Sequence, residues 1–149
     1  MNASAEIIAI GSDHAGFSMK EYLKENLKNS GFSFQDFGVM SEISVDYPDI
    51  AHRLAKAVQD KKHRVGILIC GSGNGMAIVA NKYLNIRAAI CWNEEITKLA
   101  RMHNDANIMV LPGRFVKPED ALNMVKIFLS TGFEGGRHIP RIDKITHLI

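Results

Sequence analysis

The sequence predicts an α/β protein built on a five-stranded parallel sheet with helices on both faces. Short apolar runs alternate with helical patterns along the chain of 149 residues, and this order is typical of parallel strands joined by right-handed crossovers. With 46% hydrophobic and 23% charged residues, the composition is that of an ordinary globular protein. No repeat, linker or low-complexity stretch divides the chain, so we expect one domain over residues 1–149.

The five predicted strands are short runs rich in apolar residues. They are Ile7–Ile10, Phe32–Phe37, Val65–Cys70, Arg87–Cys91 and Ile108–Leu111. The helices between them repeat an apolar residue every fourth position, as Met19, Leu23 and Leu27 do. These helices are predicted over Phe17–Asn29, Pro48–Asp60, Met76 to about Tyr83, the residues that follow Asn93, and Pro118 to the residue before Gly132.

Local signals mark the ends of three of these helices. Gly31 is suited to stopping the first helix. Asn93, followed by two glutamates, is suited to capping the fourth. Pro118 suits the first turn of the last helix. In a sheet of this kind ligands bind beyond the carboxyl ends of the strands, so residues just after strands are the first candidates for a site.

Charge, cysteine content and hydropathy exclude several classes of function. A net charge of +2 is too small to indicate binding to nucleic acid or to an anionic membrane. The apolar runs are too short to span a bilayer, and residues 1–6 lack the features of a signal peptide. The only cysteines, Cys70 and Cys91, indicate no disulfide framework, so we expect a cytoplasmic protein with reduced thiols.

The most informative segment is the glycine-rich hexad Cys70–Gly75, which follows a buried strand and precedes a helical pattern. Glycines allow several backbone N–H groups to converge, and a helix N-terminus adds partial positive charge. Such a loop can bind an oxyanion or a phosphate, and it can lower the pKa of the thiol. A tight turn with a buried structural cysteine is the alternative interpretation.

Other glycine-rich loops fit the hexad less well. In a dinucleotide fingerprint the third glycine would come one residue later than Gly75. A Walker loop would end in Gly-Lys-Ser/Thr, whereas Met76 and Ala77 follow Gly75. A cysteine phosphatase would need an arginine at that place. The hexad is therefore suited to a small anion or an enolate, with Cys70 as the reactive group.

Two further pairs of polar residues suit acid–base chemistry, and each has a plainer interpretation. Asp13 and His14 follow the first strand, where they suit proton transfer or a helix cap beside a solvated histidine. His103 and Asn104 end the fourth helix, where both residue types are common. Their expected place near the strand ends makes a catalytic histidine equally compatible with the pattern.

Two arginines complete the candidate binding residues, whereas no sequence pattern predicts a metal site. Arg137 and Arg141 stand four residues apart around a proline, which suits a phosphate clamp or a solvated basic turn. The chain has no His-Glu-x-x-His, no Cys-x-x-Cys and no dense carboxylate cluster, so we expect no metal. His52, His63 and His147 are isolated in sequence, and we expect them at the surface.

Seven motifs together resemble the type B ribose-5-phosphate isomerase family, which also contains galactose-6-phosphate and allose-6-phosphate isomerases. In chain order they are Gly11–Phe17, Asp46–Pro48, Cys70–Gly75, Ala80–Lys82, Ile86–Ala88, His103–Asn107 and Glu134–His138. The resemblance implies a Rossmann-like three-layer α/β/α sandwich. It also implies interconversion of ribose 5-phosphate and ribulose 5-phosphate, in the pentose phosphate pathway, without a metal or another cofactor.

The resemblance further implies roles in a mechanism that passes through a cis-enediolate. Cys70 is the base that moves the carbon-bound proton, and Met76, at a position where another branch has a glutamate, indicates the cysteine-dependent branch. Ser72 assists proton movement between O1 and O2, while Asp13 and His103 open the furanose ring. The residues implied to bind substrate are His14, Tyr47, Gly71, Gly73, Asn74, Gly75, Asn104, Arg114, Arg137 and Arg141.

By the same resemblance, we expect a homodimer or a dimer of dimers in which two chains share each active site. The expected division puts Cys70, Asp13 and Arg137 in one chain and His103, Asn104 and Arg114 in its partner. The segment from about residue 133 would pack at the dimer interface. Two alternatives remain open, a six-carbon sugar phosphate as substrate and a phosphosugar-binding protein without enzymatic activity.

Overall fold

The computed structural model describes residues 5–148, in which strands and helices alternate. The strands are β1 (Glu6–Ser12), β2 (Phe32–Asp36), β3 (Gly66–Cys70), β4 (Ala88–Ile90) and β5 (Ile108–Pro112). The α-helices are α1 (Phe17–Leu27), α2 (Tyr47–Gln59), α3 (Asn74–Ala80), α4 (Glu94–Asn104), α5 (Pro118–Ser130) and α6 (Ile139–Asp143). Single turns of 3-10 helix occur at His14–Gly16, Gly136–His138 and Lys144–Thr146.

The five strands form one parallel sheet in the order β2-β1-β3-β5-β4. Every residue of β3, the central strand, and of β5 beside it is buried. One face of the sheet packs against α1, α4 and α5, and the other face packs against α2 and α3. The predicted three-layer α/β/α sandwich with a five-stranded parallel sheet is therefore confirmed.

The alternation of side chains along a buried strand explains how one sheet supports two apolar cores. In β3, Ile67 and Ile69 pack into the core beneath α1, α4 and α5, whereas Leu68 and Cys70 pack into the core beneath α2 and α3. Successive side chains of a strand point to opposite faces, so a continuously apolar strand fills both cores. Cys70 consequently ends β3 on the face that α2 and α3 cover.

The helix after the glycine loop begins earlier than its predicted start at Met76. Gly73 has a left-handed φ of +83°, a conformation that favours glycine, and α3 begins at the next residue. Asn74 and Gly75 therefore form the first turn of α3 and are not part of the loop. The loop that joins β3 to α3 is only three residues long, from Gly71 to Gly73.

The same helix also ends before Tyr83, its predicted end. After Ala80 the Asn81 side chain pairs with both backbone groups of Ala88, at distances of 2.8 and 2.9 Å. This pairing turns the chain directly toward β4. The contact joins residues seven positions apart, so neither helical periodicity nor a proline or glycine signal in the sequence predicts it.

The remaining helices are of ordinary length, and the longest, α2 and α5, have 13 residues each. Their apolar side chains form one buried stripe each, as the four-residue spacing predicts. Across residues 5–148, none of the helices is both long and apolar enough to cross a bilayer.

One histidine occupies a different environment from the one that its sequence predicts. His63 is buried, with Nδ1 3.1 Å from the Ile7 carbonyl oxygen and Nε2 2.9 Å from Gln35 Oε1. The expectation of a surface position is therefore wrong. Both partners come from strands distant in sequence, and together they satisfy the buried ring, so it has a structural role.

Candidate active site

Cys70 stands at the carboxyl end of β3, where the chain turns into α3. Its side chain is almost inaccessible, with the residue only 5% exposed. The Gly73 N–H donates a hydrogen bond to Cys70 Sγ at 3.2 Å. Ser72 is exposed, and its Oγ accepts a hydrogen bond from the Asn74 N–H at 3.3 Å. The turn therefore directs backbone N–H groups toward the thiol.

The pKa of the Cys70 thiol is raised above its ordinary value because the side chain is buried. Backbone N–H groups of Met76, Gly73 and Ser72 oppose this increase, while the Asp13 carboxylate adds to it. The lowered pKa that a helix N-terminus can produce is therefore not found in the single chain. A raised pKa makes the thiolate scarce at neutral pH, but it also makes the thiolate a stronger base toward carbon.

Tyr47 and Arg114 flank the loop on the same chain. A Cβ added to Gly75 would lie 2.4 Å from the Tyr47 ring, and a Cβ added to Gly71 would lie 3.3 Å from the Arg114 guanidinium. The Arg114 N–H also donates to the Gly71 carbonyl oxygen at 3.0 Å. Glycine at these two positions therefore permits the close approach of a phenol and a guanidinium to the residues around Cys70.

Asp13 and His14 follow β1 at the same edge of the sheet. Asp13 is buried, and its Oδ1 accepts a hydrogen bond from the Gly16 N–H at 3.0 Å. It therefore caps the 3-10 turn, which is the plainer of its two interpretations, and its charge still affects the pKa of Cys70. The His14 Nδ1 is buried and has no hydrogen-bond partner among residues 5–148. Both side chains thus belong to the Cys70 edge of the sheet.

A buried lysine, which no sequence motif marks, holds this edge in place. Lys20 is fully buried, and its Nζ donates to both carboxylate oxygens of Asp36, at 2.8 and 2.7 Å, and to the Val39 carbonyl oxygen. The Ser12 N–H donates to the Gly38 carbonyl oxygen at 2.7 Å, and the Val39 N–H donates to the Ser12 carbonyl oxygen at 2.8 Å. Lys20 consequently anchors the residue immediately before Asp13.

The second group of candidates lies at the end of α4. His103 and Asn104 are its last two residues, and Asp105 follows with a left-handed φ of +45°. The Asp105 carboxylate pairs with Arg101 at 2.9 Å and with Arg87 at 3.4 Å. These contacts hold the turn that ends α4. The His103 side chain is 34% exposed there, and Asn104 is exposed as well.

The C-terminal segment folds back against this end of α4. The Glu134 N–H donates to the Met102 carbonyl oxygen at 3.0 Å. A cavity of about 410 Å³ then forms between the two segments. It is lined by His103, Asn104, Arg137, His138, Arg141, Ile142 and Ile145. Two guanidiniums that share one cavity with a histidine favour the phosphate clamp over a solvated basic turn.

Cys70 and His103 of one chain lie at opposite edges of the sheet, because α4 runs antiparallel to the strands. At the amino edge the Gly66 N–H donates to the Asn107 carbonyl oxygen at 3.0 Å, and at the carboxyl edge the Gly113 N–H donates to the Cys70 carbonyl oxygen at 2.8 Å. The strand β5 between these edges has five residues, a length of roughly 16 Å. His103 therefore lies at the amino edge of the sheet, at the opposite edge from Cys70 of the same chain.

This geometry divides the candidates into two groups, and within one chain it places Arg114 and Arg137 with other partners than the expected division does. Arg114 lies against Gly71, beside Cys70, whereas Arg137 lies in the cavity with His103. The group that we call the loop half consists of Asp13, His14, Tyr47, the residues Cys70–Gly75, and Arg114. The group that we call the α4 half consists of His103, Asn104, Glu134, Arg137, His138 and Arg141.

His103, Glu134 and His138 have ligand atoms within 4.8 Å of one another and are the group within residues 5–148 that suits a metal ion by type. Two features disfavour a cation there. The histidine rings stack at 16° to each other, so one ion cannot lie in both ring planes. Arg137 and Arg141 line the same cavity, and their positive charges favour an anion.

Glu134 and His138 belong to the candidate site although the sequence alone did not mark them as functional residues. Both belong to a motif that carried the family resemblance, and their spacing of four residues would allow their side chains to meet on one helical face. This four-residue spacing is visible in the sequence, but it predicts only a contact between Glu134 and His138. Their contact with His103, 31 residues before Glu134, depends on the return of the chain to α4 after α5.

Comparison with known proteins yields one family and close relatives. The family model described as Ribose/Galactose Isomerase matches residues 8–145. The chain is 40% identical over 139 residues to ribose-5-phosphate isomerase B of Escherichia coli (strain K12), with 93% of each chain covered. It is also 40% identical over 140 residues to the D-erythrulose-4-phosphate isomerase of Pectobacterium atrosepticum, with 93% of this chain and 92% of that protein covered.

Solved structures agree with the sequence relatives. A ribose 5-phosphate isomerase of Thermotoga maritima has a TM-score of 0.93 and 49% identity, covering 96% of this chain and 99% of that one. The ribose-5-phosphate isomerase B of Mycoplasma genitalium, solved with bound ribulose 5-phosphate, has a TM-score of 0.91 and 40% identity. That comparison covers 97% of this chain and 96% of the other.

Proposed function

The chain belongs to the Ribose/Galactose Isomerase family, and on that premise we propose that it interconverts ribose 5-phosphate and ribulose 5-phosphate. The observation that carries the proposal is the nearly buried Cys70 thiol at a turn whose N–H groups point toward it. Moving a carbonyl group between C1 and C2 requires a base close to carbon and donors for the enediolate oxygen. A relative of similar fold, solved with ribulose 5-phosphate bound, supports this substrate pair.

Cys70 is the base in this proposal. As the thiolate it takes the proton from C2 of open-chain ribose 5-phosphate, and the electrons of that C–H bond form the enediolate. The resulting thiol then returns a proton to C1, which leaves the carbonyl group at C2. The raised pKa of the thiol suits this task, because a stronger base removes a carbon-bound proton more readily.

Backbone groups stabilise the enediolate that forms between the two proton transfers. The N–H groups of Gly71, Gly73, Asn74 and Gly75 lie at or next to the turn after Cys70. They act as fixed donors to the developing oxyanion, which is usually the largest electrostatic contribution in such reactions. The exposed Ser72 hydroxyl moves a proton between O1 and O2, so that the charge on the two oxygens stays balanced.

Ring opening precedes the isomerisation, because ribose 5-phosphate is mainly a closed furanose. This step breaks the bond between C1 and the ring oxygen and moves a proton from the C1 hydroxyl to that oxygen. Asp13 and His103 serve these two proton movements in the proposal. Asn104, next to His103, orients the sugar, and Tyr47, which packs against the start of α3, lines the sugar channel.

The substrate phosphate is held by basic side chains from both halves. Arg137 and Arg141 share the cavity at the end of α4 and form the main clamp. His14 and Arg114 approach the phosphate from the loop half. Each charge-assisted contact of this kind is worth about 1.5–3 kcal/mol, so the clamp supplies much of the binding energy.

Each active site is formed by two chains in this proposal, with the loop half from one chain and the α4 half from its partner. The separation of the two halves by the length of β5 in a single chain supports this arrangement. Exposed apolar side chains accompany both halves, with Trp92 and Phe115 after β4 and β5, and Ile145 and Leu148 in the C-terminal segment. A twofold interface would bury both sets at once, in a homodimer or a dimer of dimers.

The proposal also covers the domain organisation, the cellular location and the metabolic pathway of the protein. Residues 1–149 form one sugar-phosphate isomerase domain, and the segment from about residue 133 packs at the dimer interface. The chain works in the cytoplasm, where a reducing environment suits the unpaired thiols of Cys70 and Cys91. The substrate pair belongs to the pentose phosphate pathway, so this is the metabolic setting in which we expect the enzyme.

A coupled isomerisation assay tests the proposal with four substrates. Ribose 5-phosphate is expected to give the highest kcat/KM. Erythrose 4-phosphate is the second candidate, because a relative that is 40% identical is named a D-erythrulose-4-phosphate isomerase. Allose 6-phosphate and galactose 6-phosphate test the six-carbon alternative. A higher kcat/KM for any of these three would replace the proposed substrate, and no turnover of all four would favour a phosphosugar-binding protein.

A further inference from the structure

His103 is surrounded by two side chains to which the proposed mechanism gives no role. The His138 ring stacks on the His103 ring, with 4.3 Å between the ring centroids and an angle of 16° between the planes. Glu134 lies beside both rings, with Oε2 3.7 Å from His103 Nε2 and Oε1 4.0 Å from His138 Nε2. The half-buried His103 imidazole therefore contacts the His138 ring on one face and the Glu134 carboxylate near one nitrogen.

His138 is the less accessible of the two histidines. It is 5% exposed, and its Nε2 is buried without a hydrogen-bond partner among residues 5–148. Burial, His103, Arg137 and Arg141 each lower the pKa of His138, while Glu134 opposes them. His138 is consequently a neutral ring near pH 7 and offers His103 a flat apolar surface.

Glu134 is fixed to the helix that carries His103. Its backbone N–H donates to the Met102 carbonyl oxygen at 3.0 Å, so its position follows the last turn of α4. A carboxylate 3.7 Å from an imidazole nitrogen orients that ring by electrostatic attraction to its N–H group. Arg137 and Arg141 line the cavity that also contains His103.

We propose that Glu134 and His138 are positioning residues for His103 in the ring-opening step. His138 holds the plane of the His103 imidazole by stacking, and Glu134 holds its Nε2 side and stabilises the proton that the ring carries during catalysis. This inference rests on the proposed function, because it requires that His103 acts on the sugar ring. It adds two residues to the proposed site and gives each a separate task.

Several charged or titratable groups lie around His103. In the C-terminal segment they are Glu134, Arg137, His138 and Arg141. At the end of α4, Arg101 and Asp105 pair with each other at 2.9 Å. Glu134 is the carboxylate that the Glu134→Gln variant removes without changing the others.

The first test compares two replacements of His138 in the whole 149-residue chain, with ribose 5-phosphate as the substrate. His138→Ala removes the platform, and we expect kcat to fall roughly ten- to a hundredfold with KM changed less than about twofold. His138→Phe keeps a ring at the same place, and we expect it to recover most of this loss. If His138→Phe is as impaired as His138→Ala while its melting temperature equals that of the wild type, the platform role is wrong.

The second test is the kinetics of Glu134→Gln with ribose 5-phosphate. The variant keeps the size of the side chain but removes the charge beside His103, so kcat should fall roughly tenfold with KM changed less than about twofold. Glu25→Gln, which removes an exposed carboxylate of α1 that pairs with Lys28, is the matched control and should leave kcat and KM unchanged. An unchanged kcat in Glu134→Gln would overturn the charge role.

A further measurement distinguishes failure of this inference from failure of the proposed function. Exchange of deuterium from solvent into C1 of ribulose 5-phosphate needs the carbon base but no ring opening, since this ketose cannot close a furanose ring. His138→Ala and Glu134→Gln should keep this exchange within about twofold of wild type while they lose conversion of ribose 5-phosphate. If His103→Gln converts ribose 5-phosphate normally, the proposed role of His103 fails. If His103→Gln fails to convert and both other variants convert normally, only this inference fails.

Discussion

The loop half and the α4 half of the candidate site are held in place by different kinds of interaction. Cys70 and Asp13 are buried, and backbone N–H groups contact both side chains, at 3.2 Å for the thiol and 3.0 Å for the carboxylate. His103 is 34% exposed and Glu134 is 46% exposed, and ion-pair contacts and stacking hold them. The loop half is therefore preorganised, whereas solvent screens the contacts of the α4 half.

This difference matches the chemistry that each half performs in the proposed mechanism. Removal of a proton from carbon requires a base and oxyanion donors at fixed distances, and a backbone turn provides them. Ring opening and phosphate binding involve exchangeable protons and charge, which tolerate more adjustment. We therefore expect variants in the loop half to lose chemistry and variants in the α4 half to lose binding or ring opening.

Cys70→Ala is expected to have the largest effect, because it removes the base itself. A loss of roughly two to four decades in kcat is typical of a missing general base. Alanine fits the turn, so folding and inhibition by inorganic phosphate should remain. The coupled assay and the deuterium exchange should both fail in this variant. Near-normal turnover would remove Cys70 from the mechanism and with it the distinction between the halves.

Cys91→Ala is the matched control for this substitution. Cys91 is fully buried, and burial raises the pKa of its thiol to about 11, so it is a packing residue. Its replacement should lower the melting temperature, since a buried sulfur is lost, but it should leave kcat within about twofold of wild type. A large loss of activity in this variant would mean that cavity formation alone can disable the site.

Arg137→Ala and Arg141→Ala should raise KM steeply and change kcat much less. Contacts worth about 1.5–3 kcal/mol each correspond to roughly a ten- to hundredfold weaker phosphate interaction. Inhibition by inorganic phosphate should weaken in parallel, and ribose without a phosphate should be an equally poor substrate for wild type and variants. An unchanged KM in both single variants would return these arginines to the role of a solvated turn.

Mixing two inactive variants tests whether one site uses both halves from different chains. Cys70→Ala and His103→Ala chains are unfolded and refolded together in equal amounts. Half of the dimers are then mixed, and each mixed dimer has one intact site of two, so about a quarter of wild-type activity should return. If His103 serves the Cys70 of its own chain, every site stays damaged and no activity returns.

The raised pKa of Cys70 should be visible in its alkylation by iodoacetamide. The thiolate is the reactive form, so a raised pKa slows the reaction at pH 7 and moves the inflection above the ordinary range of about 8.5. Mass spectrometry of the Cys70 peptide, measured from pH 6 to pH 10, follows the rate. An inflection below pH 7 would show a thiolate that the loop stabilises in solution.

Chelation is expected to have the smallest effect. Backbone N–H groups hold the oxyanion in the proposed mechanism, so exhaustive treatment with EDTA should leave kcat and KM unchanged. The cationic cavity beside His103 also disfavours a bound cation. Activity that disappears with EDTA and returns with a divalent ion would replace the proposed mechanism with one that polarises the carbonyl group by a metal.

The two halves also differ in how well the sequence predicts them. The loop half follows from residues that are adjacent in the chain, because a strand, a glycine turn and a helix bring Cys70 and its donors together locally. Even there, the pKa of the thiol moved in the opposite direction to the one that the loop allows, since burial depends on α2 and on the rest of the core. The burial of Lys20 is likewise not predictable from its own segment, because the groups that accept its hydrogen bonds, in Asp36 and Val39, come from elsewhere in the chain.

The sequence by itself determined the fold class, the five parallel strands, the candidate cysteine at the glycine turn and the family, because these depend on local periodicity and on motifs of a few residues. Only the tertiary structure decided that His103 lies at the opposite edge of the sheet from Cys70, and that Arg137 joins His103 while Arg114 joins Cys70. The direction of α4 and the return of the chain after α5 set these neighbours. Such packing joins residues far apart in sequence, and no local pattern encodes it.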